Sequence, residues 1–239
     1  MHGQLFQNQA TTSEEGHWLS VTDLMAGLMV IFLLISVALM NRTDMEKRAI
    51  ERLAVKVSEK QLEIHRALAE EFLSDFERWH VSFDEKRPLV IDFNANIYKF
   101  ETGKSELPET LRDVLNDFFP RYLNVLEQYE RDIQAIQIEG HTSTEWNDGD
   151  SELYAYKMNM ALSQRRANNL FSHVMKLELV LERHLYWFKE KLAAIGYGPS
   201  KLIYFDIDKD KEDKERSRRI SFRVIADSEI IMKDILESN

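Results

Sequence analysis

The feature that most constrains this chain is a run of 20 residues near its start, Val21–Met40, VTDLMAGLMVIFLLISVALM, whose one charged residue is Asp23. At about 1.5 Å of rise per residue such a helix spans roughly 30 Å, the thickness of a bilayer core. No second stretch of similar apolarity exists with which it could build a soluble core, so the run predicts a membrane span rather than a buried helix. A cleaved signal peptide wants a basic start and a small-residue cleavage site. Here the first 20 residues contain no Lys or Arg, and Asn41 and Arg42 follow the run. The expectation is one uncleaved transmembrane helix.

Asp23 is the residue in that helix that asks for an explanation. A carboxylate at the centre of a span costs about 2.5–3.5 kcal/mol on insertion scales, and less near an end, where Asp23 stands. Two readings follow. In the first, Ser20 and Asp23 cap or snorkel at the membrane edge. In the second, a carboxylate buried against a partner has its affinity for protons raised by desolvation and carries ions, with the hydroxyls of Ser20 and Thr22 beside it. Ala26 and Gly27 would let another helix approach closely.

The chain as a whole has the ordinary composition of a folded protein and a net charge of −10. That balance argues against direct nucleic-acid binding, which usually shows a basic face. There is no cysteine, so disulfides, thiolate catalysis and Cys-type zinc sites are excluded. From about Asp44 to Trp79 the residues Ile50, Leu53, Val57, Ile64, Leu68, Phe72, Phe76 and Trp79 recur at helical steps, and neither Gly nor Pro occurs from Asn41 to Arg87. This predicts a helical linker over 41–87, either a dimeric coiled coil or a helix packed on its own domain.

Beyond the linker, strands are expected at Leu89–Phe93, Ile133–Glu139 and Arg219–Ile225, and helices at Leu111–Gln128, Lys157–Leu177 and Arg183–Ala194. Strands alternating with helices predict an α+β chain: a transmembrane helix, a helical linker and an α/β sandwich of one sheet covered by helices.

Four motifs in order carry a resemblance. IEGHTS at Ile138–Ser143 is followed by N-x-x-L-S-x-x-R-A at Asn159–Ala167, IGYG at Ile195–Gly198 and RSRRISF at Arg216–Phe222, with F-x-x-G-x-x-x-L upstream at Phe100–Leu107. Their order and spacing resemble the OmpA-type peptidoglycan-binding domain. The resemblance implies a peptidoglycan site made by Thr142, Ser143, Asn159, Leu162 and Arg166, with Arg166 as the carboxylate clamp, since a guanidinium fork matches a carboxylate in a bidentate way. It also implies an aspartate where this chain has Ser143; Glu145 and Asp148 are the nearby carboxylates available to stand in for it.

The pairing of that domain with a span beginning W-x-S-x-x-D-L-M at Trp18–Met25 resembles MotB-type stator subunits. Within that group the chain looks most like the ZorB family of the Zorya anti-phage defence system, type II in particular. The resemblance implies a non-enzymatic homodimer beside a pentameric MotA/ZorA-like membrane partner. In it, Asp23 with Ser20 and Thr22 conducts H+ or Na+, with no cofactor. The implied layout is a short cytoplasmic N-terminus at 1–20, the span at 21–40, the linker at 41–87, an OmpA-like peptidoglycan-binding domain at 88–226 and a C-terminal tail at 227–239. It also implies residence in the bacterial inner membrane with the large domain in the periplasm. The charge bias reads the other way: Arg42, Lys47, Arg48 and Arg52 follow the span while Glu14 and Glu15 precede it, which a bare positive-inside count would place in the cytoplasm. A flagellar-type stator and a passive wall tether are the alternative functions.

Other patterns point nowhere sharper. Asp206, Asp208, Asp210 and Glu212 resemble the start of a calcium loop, but Lys211 stands where the loop needs Gly and Ser217 where it needs Glu. Glu139 and His141 share one strand face, which is two metal ligands at most. There is no nucleotide loop, nucleophile elbow or HExxH.

Overall fold

The computed structural model describes residues 11–84, 86–98, 100–147, 149–183, 185–205 and 210–227. Two compact units emerge, Met1–Ala54 and Val55–Asn239. The helix α1 (Thr11–Trp79) contributes to both.

In the first unit, α1 carries Leu24, Met25, Leu28, Met29, Phe32 and Leu34 more than half exposed. Its most apolar 18-residue window has a mean hydropathy of 2.4, and none of it is buried. Apolar side chains on every face of a helix fit lipid rather than water. The hydroxyls meet their needs within the helix: Ser36 Oγ donates to the Phe32 carbonyl at 2.7 Å and Thr43 Oγ1 to that of Leu39 at 3.0 Å. Beyond the span, Arg42 reaches Glu46 at 3.1 Å and Lys47 reaches Glu51 at 4.0 Å, exposed pairs one turn apart.

The second unit is built on a five-stranded sheet with the order β1-β2-β5-β3-β4. The strands are β1 (Val81–Phe83), β2 (Val90–Asn94), β3 (Ile133–His141), β4 (Leu192–Gly198) and β5 (Arg219–Ala226). β3 and β4 pair in parallel, and the other neighbours are antiparallel. The helices are α2 (Glu109–Glu127), α3 (Glu152–Val174), α4 (Glu178–Arg183), α5 (Leu185–Lys191) and α6 (Lys214–Ser217).

Alternation along the strands divides the sheet into two faces. Ile91, Phe93, Ile136, Ile138, Ile220, Phe222 and Val224 enter the hydrophobic core. There Phe118 of α2 lies 5.1 Å from Phe93 and 5.2 Å from Phe222, ring centre to ring centre, the edge-to-face spacing aromatic rings prefer. The distal part of α1 supplies Ile64, Leu68, Phe72, Phe76 and Trp79 to the same core. Of the two readings of the linker, these residues follow packing on their own domain. Arg121 of α2 fastens that packing through Glu71 at 2.6 Å and Asp75 at 2.9 Å. The folded unit therefore begins well before residue 88.

One expected helix needs correction. Arg183–Ala194 was expected to be helical throughout, but α5 ends at Lys191 and Leu192–Ala194 begin β4. Their pairing with Ile136–Ile138 overrides the helical preference of Leu-Ala-Ala. The strand β1, which packs beside β2, was not anticipated.

Candidate functional site

Glycines fix where α3 lies against the sheet. A Cβ on Gly140 of β3 would stand 2.4 Å from the Ser163 carbonyl oxygen, and one on Gly196 of β4 would stand 2.3 Å from the Gln164 nitrogen. Only a bare backbone admits the helix this closely. Ser163 then ties the two together, accepting from the Gly198 N–H at 2.8 Å and donating to the Met160 carbonyl at 2.8 Å. Ser143, Leu162 and Arg166 thereby come together at one end of the sheet.

At that end lies a groove of about 450 Å³ lined by Thr142, Ser143, Asn159, Leu162 and Arg166, together with Phe100, Glu145, Trp146 and Arg218. Its volume is in the range of about 300–1,000 Å³ that small ligands fill. All five residues of the expected wall site thus share one cavity.

Arg166 forms its floor and is 6% exposed. Its Nε donates to the Lys104 carbonyl at 3.0 Å and an Nη to the Glu101 carbonyl at 3.4 Å. The guanidinium lies 4.6 Å from the centre of the Phe100 ring. Asn169 holds the same loop by donating to the Ser105 carbonyl at 2.8 Å, and the turn at Gly103 has a positive φ of 73°. The F-x-x-G motif therefore seats the arginine. Burial, then the neighbouring Arg218, pushes the Arg166 guanidinium down to about 10, which leaves it charged at neutral pH. Among the described residues no carboxylate pairs with it. Two of its five N–H groups are used, and three stay available.

The rim is positive as well. Arg218 donates to Asn96 Oδ1 at 3.0 Å, to Glu145 at 3.0 Å and to Ser143 Oγ at 3.4 Å. Glu145 also binds Lys214 at 2.7 Å, and that hydrogen bond holds its carboxyl below the ordinary range. Asn159 donates to the Glu145 carbonyl at 2.9 Å. Thr142 Oγ1 is buried without a hydrogen-bond partner among the described residues. Asp148 lies outside the described residues. Arg218, Ser163 and Asn169 were not assigned roles from the sequence. They stand within or directly beside the motifs, which was the available signal.

Elsewhere, Asp23 is exposed on α1 and has no hydrogen-bond or ion partner among the described residues. Because α1 starts at Thr11, neither Ser20 nor Asp23 occupies a helix N-cap, so capping does not explain the acid. Thr22 shares the exposed surface of the helix. The Ser20 side chain lies outside the described residues.

The sheet face opposite the hydrophobic core carries a second set of buried charges. Glu139 is fully buried, 3.1 Å from His141, 3.5 Å from Arg223 and 3.9 Å from Lys201. Burial raises its proton affinity, but the His141 hydrogen bond and these cations outweigh it and hold the carboxyl below its ordinary value. Arg219 faces Asp92 at 3.6 Å. Glu139 and His141 thus pair with each other, and among the described residues no three potential metal ligands cluster. Asp206 and Asp208 of the calcium-like stretch lie outside the described residues. Of the rest, Glu212 accepts from Thr144 Oγ1 at 2.6 Å and Asp213 caps α6.

No protein-family model matches the chain. Among solved structures, a MotB-like protein from Desulfovibrio vulgaris aligns with 72% of this chain and 98% of its own, at 17% identity and a TM-score of 0.46. The cell wall anchor of the T6SS from Pseudomonas aeruginosa aligns with 67% and 97%, at 15% identity and a TM-score of 0.41. The curated Zorya protein ZorB of Escherichia coli (Crooks strain) is 40% identical over 222 residues, 92% of each chain. Identity at that level over 92% of the chain places it in the ZorB family of Zorya proteins.

Proposed function

We propose that this chain is the wall-anchored stator subunit of an ion-driven motor in anti-phage defence. In this reading the Arg166 groove grips peptidoglycan, and Asp23 carries H+ or Na+ beside a pentameric MotA/ZorA-like ring. The N-terminus lies in the cytoplasm, the sheet domain in the periplasm, and the chain acts as a homodimer. The observation that carries the reading is the buried guanidinium of Arg166, which lacks a carboxylate partner among the described residues and floors an open groove. Such a site favours an anionic ligand, and a stem-peptide carboxylate can take two parallel hydrogen bonds from the fork. Membership of the ZorB family supports the motor context.

Asp23 supports the second half of the reading. An acid within an apolar helix, with no partner in its own chain among the described residues, favours a partner subunit that buries it. The test is Asp23→Asn. The variant should reach the membrane, assemble and bind the wall as wild type does, yet give no protection against phage. Full protection by the Asn variant would refute ion carriage, and an enzymatic reporter fused after Asn239 reads the orientation.

A further inference from the structure

The charges of the Arg166 groove say more about its ligand than that it is an anion. Arg166 and Arg218 both line the cavity. Among the described lining residues the one carboxylate is Glu145, already bound by Lys214 at 2.7 Å and Arg218 at 3.0 Å. The rest of the polar lining is neutral: Asn96, Thr102, Thr142, Ser143, Asn147 and Asn159. Ser143 is 2% exposed and accepts from Arg218 at 3.4 Å. Thr142 Oγ1 is buried and has no hydrogen-bond partner among the described residues. Among the described residues, a ligand ammonium here would meet two guanidinium groups and no uncommitted carboxylate, and like charges brought together in an interface cost several kcal/mol. An amide N–H asks only for a neutral acceptor, and the amide side chains of Asn147 and Asn159 line the same cavity.

We infer that the groove selects a stem-peptide carboxylate whose neighbouring amine is acylated, the acceptor side of a wall cross-link, over the same end with a free amine. The inference rests on the peptidoglycan reading of the groove. It means that the anchor grades toward cross-linked wall, the part able to bear load.

The test uses the full-length chain in detergent and two probes in calorimetric titration. One is a muropeptide ending in a free-amine diamino acid; the other is the same compound with that amine acetylated. The acetylated probe should bind about tenfold more tightly. Ser143→Asp, which sets a carboxylate beside Arg218, should shift the ranking toward the free amine by a similar factor. Equal binding of the two probes by wild type, or tighter binding of the free amine, overturns the inference while leaving the peptidoglycan reading standing, as does an unchanged ranking in Ser143→Asp. Failure of the wild type to bind either probe overturns both.

Discussion

Arg166 and Arg219 are buried arginines of one domain, 6% and 4% exposed, and burial lowers the proton affinity of both. Their surroundings differ. Arg219 lies 3.6 Å from Asp92 and donates to the Lys201 and Ser217 carbonyls. Arg166 meets two loop carbonyls and an aromatic face, with no carboxylate among the described residues. A buried charge balanced within the chain belongs to the fold. One left unbalanced at the floor of a groove is completed by something from outside.

The largest effect that separates them is on stability. Arg219→Ala strips a buried carboxylate of its counter-charge and should cost about 3–5 kcal/mol. It is measured by urea unfolding of the full chain in detergent, followed by the fluorescence of Trp79 and Trp187, both buried in the core. Arg166→Ala should cost about 1–2 kcal/mol, the worth of its two carbonyl hydrogen bonds. Equal losses would erase the distinction between a structural and a ligand-facing arginine.

Next in size is the seating of α3. Gly140→Ala forces a methyl into the Ser163 carbonyl, and should cost about 1–3 kcal/mol in the same assay. It should also weaken wall retention, since Asn159, Leu162 and Arg166 ride on that helix. A fully stable Gly140→Ala variant would mean that α3 does not lie as close to β3 as described.

The last effect is an acid dependence confined to the charged sheet face. Burial pushes His141 from its ordinary 6.5 to about 4; the Glu139 hydrogen bond opposes the shift, and Arg219 and Lys201 add to it. As pH falls from 6.5 toward 4 the unfolded chain takes up a proton that the folded chain refuses. This contribution is therefore complete above pH 6.5 and declines across that window, by at most about 1.4 kcal/mol per pH unit. His141→Gln should flatten the decline in urea midpoints between pH 7 and 5. An unchanged slope would assign it elsewhere.

The three central strands of the sheet were legible because their alternation is strong: β2, β3 and β5 each set apolar residues against the core. The two strands that escaped, β1 and β4, are the edges. β1 has three residues, and β4 begins with Leu-Ala-Ala, which reads as helix until a partner strand is present. The groove residues were visible only through motif order, because Thr142 and Arg166 are far apart in the chain and no local pattern joins them. The glycine contacts with α3 that bring them together are tertiary. The exchange of a carboxylate for Ser143 was visible, but its consequence was not, since Arg218 had no assigned place until the rim was built.

The central claim is that Arg166 is completed by the cell wall. Its most direct test is retention of the full-length chain on purified peptidoglycan, comparing wild type with Arg166→Ala and, as a control for folding, Arg166→Lys. Wild type should be retained, Arg166→Ala should be lost by about tenfold or more, and Arg166→Lys should fall between them, keeping the charge without the fork. Equal retention of all three would show that the groove is not where the wall is held.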